Sequence, residues 1–585
     1  MIYQNFEVVT LANLLIKNGT VFDPTNNIDG EKMEIAIKNG KIVEKVDSNA
    51  KVIDASKMIV MPGGVDLHAH IAGSKVNSGR LFRPEDHRYE VYERTNTTRA
   101  GVGHSVPSTF TAGYRYANMG YTFVAEPAVP PLKARHTHEE LRDTPIIDKM
   151  CFPLFGNNWF VMECIANDDL DMLSAYIAWM LKATKGYAVK IVCPGGSEAF
   201  SWGKTVNSLD DLVPGFEVTP RQIIRYLAQA NEKLGLPHPI HLHTVCLGQP
   251  GNAEVTLETM KAVEDIKVNG NGNGSRSEVL HVTHIQFHSY SGTGWRDFGS
   301  AAAEIADYLN KHPHVSFDLG QIIFGDTTTM TGDSAMEYSL YKLTHNKWLN
   351  GDVEVECGSG VVPFNYSRKS PINSIQWTIG LEYALRVENP WRVVMTTDHP
   401  NGGPFTTYPG VISWLMSKKA RDYLIKTSHK KATSGSALSD IDRELTFYEI
   451  AIMTRAAAAR LLGLKNKGHL GIGADADVAI YNFDPSLSPG ENHVAIQKAF
   501  SNTAYTIKEG EVVAKDGEIL ALPEGRTFWL DLKIPQELEN ALLPVLEEKF
   551  RSYYTIQLSN YPVELDYLPR STPIEMDVTQ NFSSN

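Results

Sequence analysis

Met61-Pro-Gly-Gly-Val-Asp-Leu-His-Ala-His70 reads as a buried strand running into an H-x-H pair. Alternate residues of a strand face opposite ways, so Asp66, His68 and His70 share one face. Two imidazoles on one face can bind a single metal ion. An isolated pair of this kind serves equally well as two hydrogen-bonded core histidines. The rest of the chain decides between these readings, because it supplies four further candidate ligands, each at the end of its own expected strand.

Working outward, residues 63–465 alternate apolar strands with helical stretches. The expected strands end at His70, Glu126, Asn157, Lys190, His243, His284, Gly325 and Asp398, with helices such as Leu170–Ala183, Pro220–Leu234 and Gly299–Leu309 between them. Eight strands alternating with helices imply an α/β fold, a (β/α)8 TIM-like barrel. Such barrels carry their chemistry at the C-terminal ends of the strands. Short strands with tight turns fill residues 13–62, and Asn39-Gly40 is a strong hairpin signal. Similar strands return in 466–530, so both chain ends are expected to build one small β-sandwich domain. Residues 531–585 should add an acidic helix, Gln536–Arg551, and a polar tail. Two insertions, 71–118 and 326–388, are expected near the barrel mouth, whereas Asn269-Gly-Asn-Gly-Asn-Gly-Ser275 precedes a strand and belongs on the opposite face.

The composition is that of an ordinary globular protein: 42% hydrophobic and 21% charged over 585 residues. A net charge of −13 argues against a nucleic-acid surface. No apolar run reaches the length of a membrane span, and residues 1–19 lack the pattern of a signal peptide. Five scattered cysteines without a C-x-x-C exclude a sequence-readable iron–sulfur or thiolate-zinc site and fit a cytoplasmic location.

Lys190 lies within Ala188-Val-Lys-Ile-Val192. A lysine in an apolar strand either snorkels to a partner or is desolvated and gives up its proton readily. A neutral amine can take up carbon dioxide as a carbamate, which is a carboxylate on a long stem suited to bridging two metal ions. His243 ends its strand and is the better ligand of His241-Leu-His243; His241 faces the same way one layer deeper and suits support of a ligand. Among His281, His284 and His288, His284 is preferred for metal, and His288 is left as a substrate contact or a structural histidine. Asp398, just past the eighth strand, could cap a helix. Within this set it is read as a metal ligand and a proton acceptor. Two motifs are set aside: residues 193–205 have the wrong glycine spacing for a phosphate loop, and His138-Glu-Glu-Leu-Arg142 lacks the second histidine of a zincin helix.

His68, His70, Lys190, His243, His284 and Asp398 together make a two-metal site of nitrogen and oxygen ligands, for which zinc fits best. The chemistry expected is hydrolysis of an amide or formamide, or its reversal.

At this point the chain resembles the metal-dependent amidohydrolase superfamily, through Val65-Asp-Leu-His-Ala-His70, the strand lysine, the later histidine strands, Thr396-Thr-Asp-His399 and Gly468-His-Leu-Gly-Ile-Gly-Ala-Asp-Ala-Asp-Val-Ala-Ile-Tyr481. Longer segments are similar to the A subunits of formylmethanofuran dehydrogenases: Pro237–Asn252, Leu280–Ala301, Phe324–Asp333, His345–Phe364 and Met395–Val411. The resemblance implies a binuclear zinc site with an N6-carboxylysine at Lys190. It implies methanofuran as the one-carbon carrier substrate. It further implies a complex in which the B subunit, carrying a tungsten or molybdenum pterin, reduces carbon dioxide to formate. The C and D subunits and iron–sulfur subunits complete that complex. The A subunit would then condense formate with methanofuran, the first step of methanogenesis from carbon dioxide. One departure from the family pattern is Thr244-Val-Cys246, where Cys-Asn-Asn is expected. Alternatives are the A subunit of a bacterial formyltransferase/hydrolase complex, releasing formate from the formyl-cofactor, and a cyclic-amide hydrolase. The two long insertions are expected to close the site and dock a partner. Arg368 and Lys369 could meet anionic groups of the cofactor tail or be ordinary surface charges.

Overall fold

Eight short parallel strands follow one another around a closed ring in the computed structural model, which describes residues 13–269, 276–351, 359–554 and 556–582. They are β1 Gly64–Asp66, β2 Tyr121–Val129, β3 Asp148–Pro153, β4 Lys190–Val192, β5 Ile240–His243, β6 Leu280–Val282, β7 Val315–Asp318 and β8 Val393–Val394. Ladders join β1 to β3 and β4 to β8, and the bridges Leu154–Lys190 and Ala69–His399 close the two gaps. Apolar strand residues such as Val124, Ile191, Leu242, Val282 and Phe317 are fully or almost fully buried, as a ring wrapped by helices requires.

Most strand ends differ from the expectation by a few residues. The seventh differs most: β7 stops at Asp318, and Gly325 instead begins an antiparallel hairpin. The mostly apolar residues 319–324 that seemed to prolong the strand are a largely buried connection to that hairpin. The first strand stops at Asp66, so His68 and His70 lie just beyond it. The expected helices are present over Leu170–Thr184, Pro220–Lys233 and Ala302–Lys311, and Gly299–Ser300 pairs with Tyr290–Ser291 instead of starting a helix.

Strands from both chain ends interleave. Ile59–Pro62 lies between Thr20–Asp23 and Val478–Tyr481 in a seven-stranded sheet, and Leu14–Lys17 is central to a four-stranded one. Leu14, Ile16, Ile35 and Ile53 meet Val21, Val60, Val478 and Ile507 in one apolar cluster between them. Across the 530 boundary, Thr527–Lys533 runs parallel to Ser571–Asp577 and touches β3 at Lys149, and the helix Gln536–Tyr553 lies between the two in sequence. The tail expected after the acidic helix therefore carries a strand. Among the described residues no helix is long and apolar enough to cross a membrane. The glycine–asparagine stretch after Asn269 and Cys357 lie outside the described residues.

A buried ion network joins the small sheets to the barrel. Lys508 Nζ is 2.9 Å from Asp148 on β3 and 3.1 Å from Asp477, and Lys467 Nζ is 2.5 Å from Asp148 and 2.6 Å from Asp477. Charges this deep are tolerated only when each finds its opposite. Replacing Lys508 with Met leaves Asp148 and Asp477 short of one cation, and should lower unfolding free energy by about 3–5 kcal/mol. A denaturant midpoint equal to that of the parent protein would rule out this role.

Candidate metal centre

His68, His70, Lys190, His243, His284 and Asp398 all line one cavity of about 1000 Å³ at the C-terminal end of the barrel. Lys190 opens β4, His243 ends β5, and the other four lie within four residues beyond the ends of their strands. Asp398 is the hub: Oδ1 lies 3.0 Å from His68 Nε2 and 3.4 Å from His70 Nε2, and Oδ2 lies 3.9 Å from His284 Nε2. The backbone helps aim these groups. Asp398 and His284 both have left-handed conformations (φ 51° and 35°), uncommon for side chains other than glycine and often found at functional sites. Gly320 makes room for this, because a Cβ there would stand 2.3 Å from the Cβ of His284.

Carboxylates orient the imidazoles from outside. Glu126, in the second half of β2, accepts from His70 Nδ1 at 2.9 Å, and its other oxygen accepts from the backbone N–H groups of Ile71 and Ala72. That leaves His70 Nε2 facing the cavity. Asp318, ending β7, lies 3.3 Å from His68 Nδ1 and from His281 Nε2, and accepts from His284 N and Thr396 Oγ1. His241 Nε2 is 3.0 Å from His68 Nδ1, one layer below the cavity. His243 Nε2 meets Asp333 Oδ2 at 3.3 Å.

The charge states follow from this packing. Burial opposes ionisation of Asp398, yet His284 and His68 outweigh it and hold its carboxyl well below the usual range. Burial likewise disfavours a charged His68, but Asp318 and Asp398 on either side raise its pKa overall. A metal ion taking its place there would have to displace that proton. Lys190 is 1% exposed, and its Nζ has no hydrogen-bond partner. Burial brings its pKa down to about 7, despite the opposing pull of Asp318 and Asp398.

These residues suit a metal. Ligand atoms of His68, His284 and Asp398 all lie within 4.8 Å of one another. The donor set is nitrogen and oxygen, and Lys190 Nζ and His284 Nδ1 are buried without partners. Such orphaned polar atoms are costly unless a ligand completes them.

The other singled-out residues lie elsewhere. His288 stacks on His284 at 5.3 Å, fully buried, with neither ring nitrogen bonded, and it is not among the cavity-lining residues. Arg368 and Lys369 are exposed; Arg368 rests over the Phe324 ring, while the neighbouring Tyr366 and Ser370 reach the cavity. Asp66, grouped with His68 and His70 by strand alternation, instead accepts from Tyr116 and Tyr408.

Sequence reasoning missed Asp318, Glu126, Asp333 and Asn401. An acidic residue within an apolar strand was a usable signal for Glu126, whereas the apolar run after Asp318 hid its place at a strand end. Asp333 and Asn401 carried none, because they act through insertions. The hairpin pairing Gly325–Thr331 with Ser359–Tyr366 and the helix Ser334–Thr344 cover the cavity. Val76 and Val106 of the first insertion pack on Met330 and Val361 of the second. Arg83 ties the two together through Asp326, Thr328 and the Thr327 carbonyl. Asn401 then links this cover to the centre, accepting from Met330 N and donating to Asp398 Oδ2 at 3.0 Å.

Comparison with known proteins places this geometry. Protein FwdA of Methanocaldococcus jannaschii is 54% identical over 567 residues, covering 97% of this chain and 99% of its own. The A subunit of the formyltransferase/hydrolase complex Fhc of Methylorubrum extorquens is 35% identical, covering 92% and 94%. The crystal structure of that organism's FhcABCD complex with methylofuran superposes with a TM-score of 0.87 at 33% identity, over 97% of this chain and 100% of the matched one. The model of the amidohydrolase family matches residues 51–514, which include every one of the six cavity residues. The chain belongs to the amidohydrolase family.

Proposed function

We propose that this chain is the A subunit of a formylmethanofuran dehydrogenase. It joins formate to the amine of methanofuran and, in reverse, hydrolyses N-formylmethanofuran. The observation that carries this reading is the meeting of four imidazoles, one lysine amine and one carboxylate in a single covered cavity. It occurs in a chain 54% identical to FwdA along nearly its whole length. The lower identity to the Fhc protein, 35%, favours the dehydrogenase over the formyltransferase/hydrolase assignment. On this reading the partners are the other subunits of that complex, one of which carries a tungsten or molybdenum pterin.

His68, His70, His243, His284, Asp398 and Lys190 as N6-carboxylysine would together hold two zinc ions. When bound, the metal pair supplies Lewis-acid activation of the carbonyl and of water. The chain's own residues do the rest. Lys190 as a neutral amine adds to carbon dioxide, forming one N–C bond and releasing one proton; its burial keeps that amine accessible near neutral pH. Asp398 accepts the proton of the attacking water and delivers it to the leaving nitrogen. The balance is one formamide and one water giving one amine and one formate with its proton. Asn401 holds Asp398 Oδ2 in place during the transfer. The cover narrows access to the cavity, which matters because formamide synthesis from formate is uphill in dilute solution. A confined, high local concentration of formate offsets that.

Metal-loaded protein should release formate from N-formylmethanofuran. Asp398→Asn should slow this by about 10²–10⁴-fold. Formate release by the variant at the parent rate would remove Asp398 from the chemistry. Converting both Arg368 and Lys369 to Ala should raise the apparent KM for methanofuran with little change in kcat. An unchanged KM would assign both to the ordinary surface.

A further inference from the structure

Below the cavity a row of buried imidazoles runs to the far end of the barrel. His238 Nδ1 lies 2.9 Å from the carbonyl of Leu461, in the last turn of the helix Ala457–Leu461. His238 Nε2 lies 3.0 Å from His241 Nδ1, and His241 Nε2 lies 3.0 Å from His68 Nδ1. His238 and His241 are fully buried and His68 is 1% exposed. Strand register aligns the support: Lys190, His241, His281 and Ser316 are Cα partners across four neighbouring strands. The ring of His281 stacks on His241 at 4.8 Å and is held by Ser316 and Asp318.

The protons on this row can be assigned from its far end. A carbonyl oxygen only accepts, so His238 Nδ1 carries the hydrogen. A neutral ring has one N–H, so His238 Nε2 is an acceptor. His241 Nδ1 must then donate, which makes His241 Nε2 an acceptor in turn. His68 Nδ1 is left facing two acceptors, His241 Nε2 at 3.0 Å and Asp318 Oδ2 at 3.3 Å. Burial and the nearby His281 hold His238 well below the usual histidine range, in keeping with a neutral ring.

We propose that the Leu461 carbonyl, His238 and His241 form a positioning chain that fixes the proton of His68 on Nδ1, so that Nε2 is the nitrogen presented to the metal. This rests on the metal-binding reading above. Without His238, His241 is free to take the other tautomer and direct an N–H at His68 Nδ1. His68 could then satisfy His241 only by giving up the Nδ1 proton that faces Asp318, and Nε2 would carry the hydrogen instead.

The test is zinc affinity of the full-length chain, measured by competition with a chromophoric chelator beside its thermal unfolding. His238→Gln keeps an acceptor near the Nε2 position and should bind zinc within about threefold of the parent. His238→Leu should bind about 10- to 100-fold more weakly, the range for losing a group that orients a ligand. His238→Asn retains the donor to Leu461 but loses the acceptor for His241, and should resemble Leu. It provides the same reading if the leucine variant does not fold. Asn and Gln variants of equal affinity would overturn the chain. Failure of the parent itself to bind zinc would overturn the metal-binding reading, and the chain with it.

Discussion

The cost of taking charge out of water governs this site. Lys190, His68, His70, His243, His284 and Asp398 are each 4% exposed or less, and Lys190 Nζ and His284 Nδ1 have no hydrogen-bond partner. A fold does not bury a lysine amine and several imidazoles together for stability, because replacing them by apolar side chains would cost less. The arrangement makes sense when cations complete the donors and the amine carries a carboxylate. The neighbouring residues hold the six in place. Glu126 and Asp318 hold the imidazoles, Gly320 admits His284, and Asn401 pins Asp398.

The cover and the base do different work. Above the mouth, two insertions far apart in sequence become one lid through Arg83 and the contacts of Val76, Val106, Met330 and Val361. Through Asn401 that lid touches the carboxylate that would move the proton, so the shape of the substrate entrance and the position of Asp398 are mechanically joined. Below, histidines on successive strands stack into a layer that reaches the helix end at Leu461. Beside the barrel, the paired sheets from both chain ends attach through Asp148, Lys467, Asp477 and Lys508 rather than through an apolar seam alone.

Much of this was legible from local pattern. The alternation of β-periodic and helical stretches carries the barrel, and a polar residue in or just after an apolar strand stands out, as Lys190, His243 and Asp398 do. Patterns fail where one apolar run serves two structures. Leu319, Ile322, Ile323 and Phe324 are as apolar as a strand, yet β7 ends at Asp318 and they form the connection to the hairpin. That run concealed Asp318 as a strand-end carboxylate. Thr527–Lys533 alternates like any strand, and nothing in its residues says that it lies beside the barrel instead of in the small sheets. Asp333 and Asn401 depend on how the long excursion after β7 folds back, which is a tertiary fact.

The most direct test of the central claim is native mass spectrometry of the intact chain loaded with zinc under carbon dioxide. The expected result is a mass increase of two zinc ions and one carboxyl group, with loss of the carboxyl increment in Lys190→Ala. A chain that binds a single metal, or two with Lys190 unmodified, would contradict it.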